Sequence, residues 1–419
     1  MKKTIIRGIL LFFSLIVCYL LFMVAGTLMP DGKVRKNIGR SVWAMERQGD
    51  YPRAVFDGEY GRMDNFTDAL ILNMAYHVSA DSLKASIFLN QHAKTGAYVA
   101  SGLRTMVEKQ MGGDMPYPRY WHGSVFLMRF LLLFGNYEFI RQLLFVLSTS
   151  LLLIAFTLVQ KQIGIPCALA YFSGFFFLHG FVMQMSIQFF PVLMITLGAS
   201  IALSRCWRDF SKVILVFIAT GSVTSFFDLL TTPLLTMGLP LVLYLMLSRD
   251  EDMSWLAAFW RMVRSGFAWG VSFATTWMTK WGLASLLTGE NVFKDAIGQA
   301  AYRSGADADF SRWDAVTANL QMLNVPLIMW FALAIGLFAI FFFNKKWWRN
   351  GSICVLLTAL PYVWYFAISN HSFQHWWFTY RLQMLAVAAA LVCAAGFVDW
   401  KRAAQWLRNR SHRIFEKQS

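Results

Sequence analysis

Charged residues are scarce in this sequence. Asp, Glu, Lys and Arg make up only 15% of the 419 residues, whereas hydrophobic residues make up 57%. A soluble domain carries roughly a quarter of its residues as charges, because its surface must stay hydrated. Apolar runs of about 20 residues recur along the chain, and a run of that length crosses a bilayer as a helix. The composition therefore argues against a soluble protein and predicts an all-α polytopic membrane protein.

Cysteine is also rare and forms no pattern. The five cysteines lie in or beside apolar runs, with no C-x-x-C pair, so neither a disulfide framework nor a zinc site is indicated. The sequence also lacks a Walker A loop, a G-x-S-x-G elbow, an H-E-x-x-H motif and a Rossmann fingerprint. ATP-driven transport is therefore not expected. No cofactor is predicted firmly, and a divalent metal is the one candidate left open.

The net charge of +15 would favour nucleic acid in another context. Here the Lys and Arg residues lie mainly at the ends of apolar runs, where they orient a protein in the membrane. The charge pattern therefore predicts membrane lipid as a partner and no nucleic acid.

Ten apolar runs predict ten membrane spans, at 8–27, 139–160, 165–182, 186–204, 211–227, 229–247, 265–283, 324–343, 351–368 and 382–398. An eleventh piece, 120–134, is short for a span and carries Arg129 in its middle. The basic clusters fall on one side of the membrane only if 120–134 does not cross. We therefore predict an interfacial helix at 120–134 and both termini in the cytoplasm.

This arrangement gives one membrane domain, 1–419, with two long extracytoplasmic loops at 28–120 and 284–323. The first loop is too long to be a simple connector and is predicted to fold as part of the protein. A basic, then apolar N-terminus fits an uncleaved first span, and we expect location in a bacterial cytoplasmic membrane.

The first long loop supplies four carboxylates around Arg62: Asp57, Glu59, Asp64 and Asp68. Asp64 and Asp68 are spaced i, i+4 and share a face if the stretch is helical. Two like charges on one face repel each other. They are tolerated when a metal, an arginine or a cationic substrate group lies close to them, or when one carboxylate serves as a general base. The structural alternative is a helix start capped by Asp64 or Asn65.

A polar stretch precedes the last predicted span. It contains Asn370, His371, His375, Tyr380 and Arg381. Three interpretations remain open: a metal site at the two histidines, a phosphate or pyrophosphate site that includes Arg381, and an aromatic belt with a snorkelling arginine.

Further candidates are more isolated in the sequence. Asp228, at a predicted turn between two spans, is either a binding residue or a turn residue. Arg119 and His122 lie at the start of the predicted interfacial helix, and Lys280, Lys294 and Arg303 lie in or beside the second long loop. For these last five, surface or interfacial positions are expected.

The layout resembles the GT-C superfamily of polytopic membrane glycosyltransferases. In that family a first span is followed by a large outer loop with a catalytic acid, an interfacial helix ending in Phe-Gly, and an Arg at the start of the second span. Phe134, Gly135 and Arg141 are similar to these elements. The family's Pro-Pro before that helix is replaced here by "YPRYWHG", and its early Asp-Glu pair has no clear counterpart.

The resemblance implies a glycosyltransferase that uses a polyprenyl-phosphate-linked sugar and a glycan or lipid acceptor. Asp64, with Asp68 next, would be the base. Arg381, His371 and His375 would bind the phosphate, with Asp228, Asn370, Tyr380, Arg62, Glu59, Asp57, Arg119 and His122 as further substrate-binding candidates. The alternatives are a polysaccharide polymerase of the O-antigen type and a non-enzymatic flippase or transporter of lipid-linked glycans.

Overall fold

The protein is all-helical in the computed structural model, which describes residues 2–54, 58–96, 98–306 and 308–415, with side chains up to Asn409. These residues form no β-strand, only isolated bridges. Their α-helices are α1 Lys2–Thr27, α2 Asp31–Gln48, α3 Asn65–His77, α4 Val99–Glu108, α5 Gly123–Leu131, α6 Tyr137–Ile163, α7 Ile165–Phe177, α8 Phe190–Cys206, α9 Phe210–Phe227, α10 Leu235–Leu247, α11 Trp255–Thr288, α12 Val292–Arg303, α13 Arg312–Leu320, α14 Val325–Phe341, α15 Trp348–Thr358, α16 Leu360–Ala367, α17 Ser369–Gln374, α18 Trp376–Thr379, α19 Met384–Gly396 and α20 Trp400–Phe415.

Five helical segments in the described ranges are long and apolar enough to cross a membrane: Lys2–Thr27, Tyr137–Ile163, Phe210–Phe227, Lys345–Ala367 and Trp376–Gly396. A sixth forms if α13 and α14, bent by 67°, count together. The apolar helices α7, α8 and α10 have 13, 17 and 13 residues, which is shorter than a straight span requires. The described residues therefore contain five to six candidate spans, and the ten-span arrangement stays a prediction.

Local sequence signals explain where several helices begin. Asn136 accepts the backbone N–H of Phe139 at the start of α6, and Ser254 accepts that of Ala257 at the start of α11. Ser311 and Asp314 form a reciprocal capping box at α13. These side chains satisfy N–H groups that the first helical turn leaves without an intrahelical acceptor.

Two glycines allow close helix packing. A Cβ on Gly174 in α7 would lie 2.3 Å from the Met384 carbonyl oxygen in α19. A Cβ on Gly221 in α9 would lie 2.3 Å from the Trp269 carbonyl oxygen in α11. Small residues at such crossings let helix backbones approach in a membrane, where van der Waals contact largely replaces the hydrophobic effect as the driving force.

The first long loop, 28–120, contains α2, α3 and α4 and packs on α1 and α5. Its apolar side chains form a buried cluster that includes Ile38, Met45, Leu72 and Leu103. The second long loop, 284–323, contains α12 and α13, and α13 packs against α16 and α17. The polar segment 369–383 lies between these loops and the start of α19.

The predicted interfacial segment 120–134 contains the nine-residue helix α5, which is far too short to cross a bilayer. Arg129 is fully buried in it and makes five hydrogen bonds. Its guanidinium donates to the carbonyls of Gly26, Met29, Ala75 and Val78 and, at 2.5 Å, to the Asp31 carboxylate. Arg129 therefore joins the C-terminal ends of α1 and α3 to the start of α2.

Candidate functional site

Asp64 caps the first turn of α3. Its carboxylate accepts the Thr67 backbone N–H at 3.0 Å and the Thr67 hydroxyl at 2.8 Å. This is the N-cap that the sequence offered as the structural alternative. The cap is not solvated, however, because only 2% of Asp64 is exposed. A carboxyl group at the start of α3 therefore lies inside the protein.

Burial raises the pKa of Asp64 to about 7. Loss of hydration is the largest cause, because it disfavours the charged form, and the nearby Asp68 raises the pKa further. The two bonds from Thr67 and the charge of Arg62 oppose the rise. A carboxyl group with a pKa near 7 exchanges its proton at neutral pH, as a general base must.

Asp68 has a different environment on the same helix. It is fully buried and accepts hydrogen bonds from the Tyr137 hydroxyl at 2.8 Å, the Ser186 hydroxyl at 3.2 Å, and the backbone N–H groups of Ile187 and Gln188 at 3.1 and 3.0 Å. Burial raises its pKa, and these bonds work against that rise. Four donors fill the acceptor capacity of a carboxylate, so Asp68 ties α3 to α6 and to the start of α8.

Arg381 reaches the first long loop from the opposite end of the chain. Its Nη2 donates to the carbonyls of Tyr60 and Arg62 at 3.3 and 3.4 Å, and its guanidinium carbon lies 5.2 Å from the centre of the Phe189 ring and 4.9 Å from that of Tyr380. The residue is 1% exposed. The structure thus brings Arg381 to the backbone two residues before Asp64.

The Arg381 guanidinium is incompletely satisfied. Within the described ranges, Nε and Nη1 have no hydrogen-bond acceptor of good geometry, and no carboxylate lies within ion-pair distance. A buried donor without an acceptor costs about 1–3 kcal/mol, and more when it is charged. An anion placed here would recover that cost, and a guanidinium binds phosphate oxygens well. We call Asp64, Tyr60, Arg62, Tyr380 and Arg381 the Arg381 site.

Arg62 forms one side of this site. Its guanidinium lies 4.4 Å from the ring centres of both Tyr51 and Trp377, and it donates to Glu59 at 2.7 Å. Glu59 also pairs with Arg53 at 3.5 Å. Arg62 and Glu59 therefore neutralise each other and join the first long loop to α18.

His371 and His375 lie together but contact other neighbours. Their ring centres are 4.9 Å apart, and the His371 Nε2–H donates to the Leu230 carbonyl at 2.8 Å. Contacts from His371 to Arg381 run through Phe378 and Phe189, with ring-centre distances of 5.9 and 5.8 Å. The two histidines and Arg381 are therefore on either side of two aromatic rings.

Both histidines are held neutral. Burial, followed by the charge of Arg303, lowers the pKa of His371 well below its usual value and that of His375 to about 4. Neutral imidazoles supply hydrogen bonds but no positive charge. The Asn370 amide donates to the Tyr302 carbonyl at 2.9 Å, so it anchors the end of α12.

The remaining candidates are already engaged. Asp228 is buried and accepts the Thr231 backbone N–H at 3.0 Å, and burial raises its pKa to about 6. Arg119 donates to both oxygens of Asp295, at 3.0 and 2.9 Å. His122 donates to the Tyr117 carbonyl, and burial lowers its pKa to about 3.

His122 and Lys280, expected at surface or interfacial positions, are not surface residues. His122 is 1% exposed, and Lys280 is buried and donates to the Ile87 carbonyl at 2.7 Å and the Asn90 side chain at 3.0 Å. Neighbouring helices cover both side chains. Lys294 is exposed as expected.

The described part of the chain contains no group of three or more His, Cys, Asp and Glu side chains placed to hold a metal. Asp57, a candidate base or ligand, lies outside the described residues. The divalent metal that the sequence left open therefore has no defined ligand set here.

Sequence reasoning missed two neighbours of Arg381. Tyr60 lies next to Glu59, and its ring centre is 4.4 Å from that of His179 and 6.2 Å from that of Tyr380. The sequence carries a signal for Tyr60, because it is an aromatic residue within an acidic loop. Phe189, which packs on the Arg381 guanidinium, lies in an apolar run and carries no such signal.

Comparison of the chain with models of known families, with curated proteins and with solved structures finds no match in any of the three. Function is therefore inferred from the geometry of the Arg381 site. Asp64 contributes a buried carboxyl group of pKa near 7, and Arg381, against the backbone two residues before it, is a buried cation for which the described residues supply no counter-ion.

Proposed function

We propose that the protein is a membrane glycosyltransferase that moves a sugar from a polyprenyl-phosphate donor to an envelope glycan or glycolipid acceptor. In this proposal ten spans place both termini in the cytoplasm, and both long loops face the periplasm or cell exterior. The observation that carries it is the Arg381 guanidinium, a buried cation without a counter-ion beside the loop that leads to Asp64. A lipid phosphate is an anion that reaches such a position from the membrane.

Asp64 acts as the base in the proposed reaction. Two donors, both from Thr67, leave part of its acceptor capacity open, whereas Asp68 already has four donors. Asp64 removes the proton from the acceptor hydroxyl as the oxygen attacks the anomeric carbon. The bond from that carbon to the phosphate oxygen breaks on the opposite face, and the sugar configuration inverts.

Arg381 stabilises the leaving group. Negative charge develops on the lipid phosphate as the glycosidic bond breaks, and the N–H groups on Nε and Nη1 are available to donate to it. Phe189 and Tyr380 pack on the guanidinium and keep water from it. A preformed cation in a dry site stabilises charge more strongly than the same group in water.

The test compares envelope glycans and lipid-linked precursors by mass spectrometry in cells whose only copy is wild type, Asp64→Asn or Asp81→Asn. Asparagine is as good an N-cap as aspartate, so Asp64→Asn keeps the fold but removes the base. In cells that carry Asp64→Asn, we expect one sugar to be missing from the envelope glycan and from its lipid-linked precursor. Asp81 is exposed in the same loop and serves as the matched control.

Three results would contradict the proposal. Complete glycans in cells carrying Asp64→Asn at wild-type protein level would remove Asp64 as the base. Accumulation of a complete lipid-linked precursor in cells lacking the protein would instead indicate transport, and a shortened chain built of complete repeats would indicate a polymerase.

A further inference from the structure

A second cationic pocket lies between α11 and α12, with walls that include Arg119, Tyr120, Trp277, Trp281 and Arg303. We call these five residues the Arg303 pocket. Arg303 is the last residue of α12, and both tryptophans lie on α11. No hydrogen bond in the described ranges joins these five residues to Arg381, whose own bonds go to the carbonyls of Tyr60 and Arg62. The pocket supplies neither the base nor the leaving-group cation of the proposed transfer step.

Arg303 gives the pocket a positive charge that has no direct ion pair. Asp295 neutralises Arg119 through two hydrogen bonds. Arg303 donates to the Tyr120 hydroxyl, and no carboxylate in the described ranges lies within 4 Å of its guanidinium. The charge of Asp228 acts on Arg303 only from a longer distance. Tyr120 is neutral at pH 7, because burial raises its pKa above the ordinary value for tyrosine. Arg303 therefore has no hydrogen-bonded anionic partner among the described residues.

Two further donors in the pocket lack an acceptor. Nε of Arg119 and Nε1 of Trp277 are both buried without a hydrogen-bond partner in the described part of the chain. Each such N–H group costs free energy until an acceptor reaches it. A phosphate presents several oxygens in different directions and can accept from donors on separate helices, which a carboxylate does less well.

The aromatic wall suits a ring attached to that anion. Trp277 and Trp281 are stacked with ring centres 6.0 Å apart, and Tyr120 meets Trp277 edge-on at 5.8 Å. Trp281 is held in place by its Nε1–H, which donates to the Arg119 carbonyl at 2.9 Å. Rigid aromatic faces beside a few polar groups are typical of small-molecule sites.

The segment before the last predicted span fixes this end of α12. The Ser369 hydroxyl donates to the Ser304 carbonyl at 3.1 Å, and the Asn370 amide donates to the Tyr302 carbonyl. The Gln374 amide donates to the Tyr302 hydroxyl at 2.9 Å. Arg303 is therefore held on a preorganised backbone.

We propose that the Arg303 pocket is a second oxyanion site, which binds a phosphate or pyrophosphate group whose attached sugar packs against Trp277 and Trp281. Within the proposed transferase it holds the acceptor, which is then a phosphorylated or lipid-pyrophosphate-linked glycan. That assignment to the acceptor rests on the proposed function. Oxyanion binding in the pocket does not, and it can be measured without any transfer reaction.

The experiment titrates sodium pyrophosphate into the purified full chain in phosphatidylcholine nanodiscs and follows tryptophan fluorescence. Arg303→Gln is compared with Lys294→Gln, which removes an exposed charge from the same helix. We expect Arg303→Gln to weaken binding by about tenfold or more, since a charge-assisted hydrogen bond contributes roughly 1.5–3 kcal/mol. Lys294→Gln should change the Kd by less than about twofold, because an exposed, well-hydrated charge contributes little to binding.

A second arm identifies the source of the oxyanion. Nanodiscs that contain a few mol per cent of polyprenyl phosphate should compete with pyrophosphate if the pocket opens to the membrane, and should leave the titration unchanged if the ligand arrives from water. Equal binding by Arg303→Gln and Lys294→Gln in both kinds of nanodisc would overturn the proposal. Arg303→Lys shows that the pocket still folds if it restores part of the affinity.

Discussion

Arg129 and Arg381 are both buried arginines, yet their surroundings differ. Arg129 makes five hydrogen bonds, one of them to Asp31. Arg381 makes two long hydrogen bonds to carbonyls and leaves Nε and Nη1 without an acceptor. Burying a guanidinium is costly in both places. At Arg129, hydrogen-bond acceptors of the protein compensate that cost. At Arg381, the described residues leave part of it uncompensated.

The same contrast separates the two aspartates at the start of α3. Asp68 is filled by four donors from α6 and the chain before α8, while Asp64 accepts from a single residue. Complete hydrogen bonding marks a residue that holds the fold. Incomplete hydrogen bonding at a buried charge leaves acceptor or donor capacity that a ligand can fill.

The largest effect is expected for Arg129→Gln. Removing this cation takes a donor from four carbonyls and leaves the partly exposed Asp31 carboxylate without its partner. Each buried acceptor that loses its donor costs about 1–3 kcal/mol. Thermal unfolding in detergent should show a large fall in the midpoint. Arg47→Gln, an exposed change on α2, is the control and should have little effect.

Arg381→Gln should affect activity rather than stability. It removes a buried charge that the fold does not compensate, so the unfolding midpoint should stay near that of wild type. The transfer rate should fall by about 10²–10³, as when one oxyanion donor is removed from an active site. A midpoint as low as that of Arg129→Gln would show that Arg381 holds the fold, and the comparison would fail.

The pH dependence tests Asp64 next. Its folded pKa of about 7 is higher than that of the unfolded chain, so the folded protein binds the proton more tightly. The free energy of unfolding should therefore fall as pH rises from about 4 to 7, by up to about 1.4 kcal/mol per pH unit. Activity should rise over the upper part of this range and level off above pH 7.

The control for this pH dependence is Asp64→Asn, which should lack the slope in stability. If the wild-type and Asp64→Asn stability profiles are parallel, another group titrates and Asp64 is not the base.

The smallest effect is expected for Glu59→Gln. Glu59 pairs with the partly exposed Arg53 and Arg62, and ion pairs of this kind contribute about 0–1 kcal/mol. Arg62 should keep its position between Tyr51 and Trp377. Thermal unfolding and the glycan profile should both remain close to wild type. A loss of product at normal stability would instead make Glu59 a substrate-binding residue.

The apolar runs predicted most of the helices, because long stretches without charge have few other solutions in a bilayer. The N-cap at Asp64 was also predictable from the sequence, since the signal for an N-cap is local. The other helices within 28–120 were not predictable, because tertiary contacts decide their boundaries. Arg129 shows why: its acceptors are carbonyls from two distant segments, and carbonyls have no sequence signal.

The candidate site was predicted only in part. The sequence suggested that Arg381 and the acidic loop belong together, and Arg381 does contact the carbonyls of Tyr60 and Arg62. It also grouped His371 and His375 with Arg381. The rings of Phe378 and Phe189 lie along the contacts between the histidines and Arg381. Both are apolar residues, and the sequence carries no signal for this position. The Arg303 pocket forms from three separated stretches, so no single stretch of sequence shows it.

The hydrogen bonds of Arg129 also bear on biosynthesis. Its acceptor Gly26 is made 103 residues earlier in the chain. At a synthesis rate of about 5–20 residues per second, the carbonyls at the end of α1 wait roughly 5–20 s for their permanent donor. During that interval the first span is anchored while the first long loop cannot close around it. Emergence of α5 from the ribosome therefore supplies the side chain that joins α1, α2 and α3.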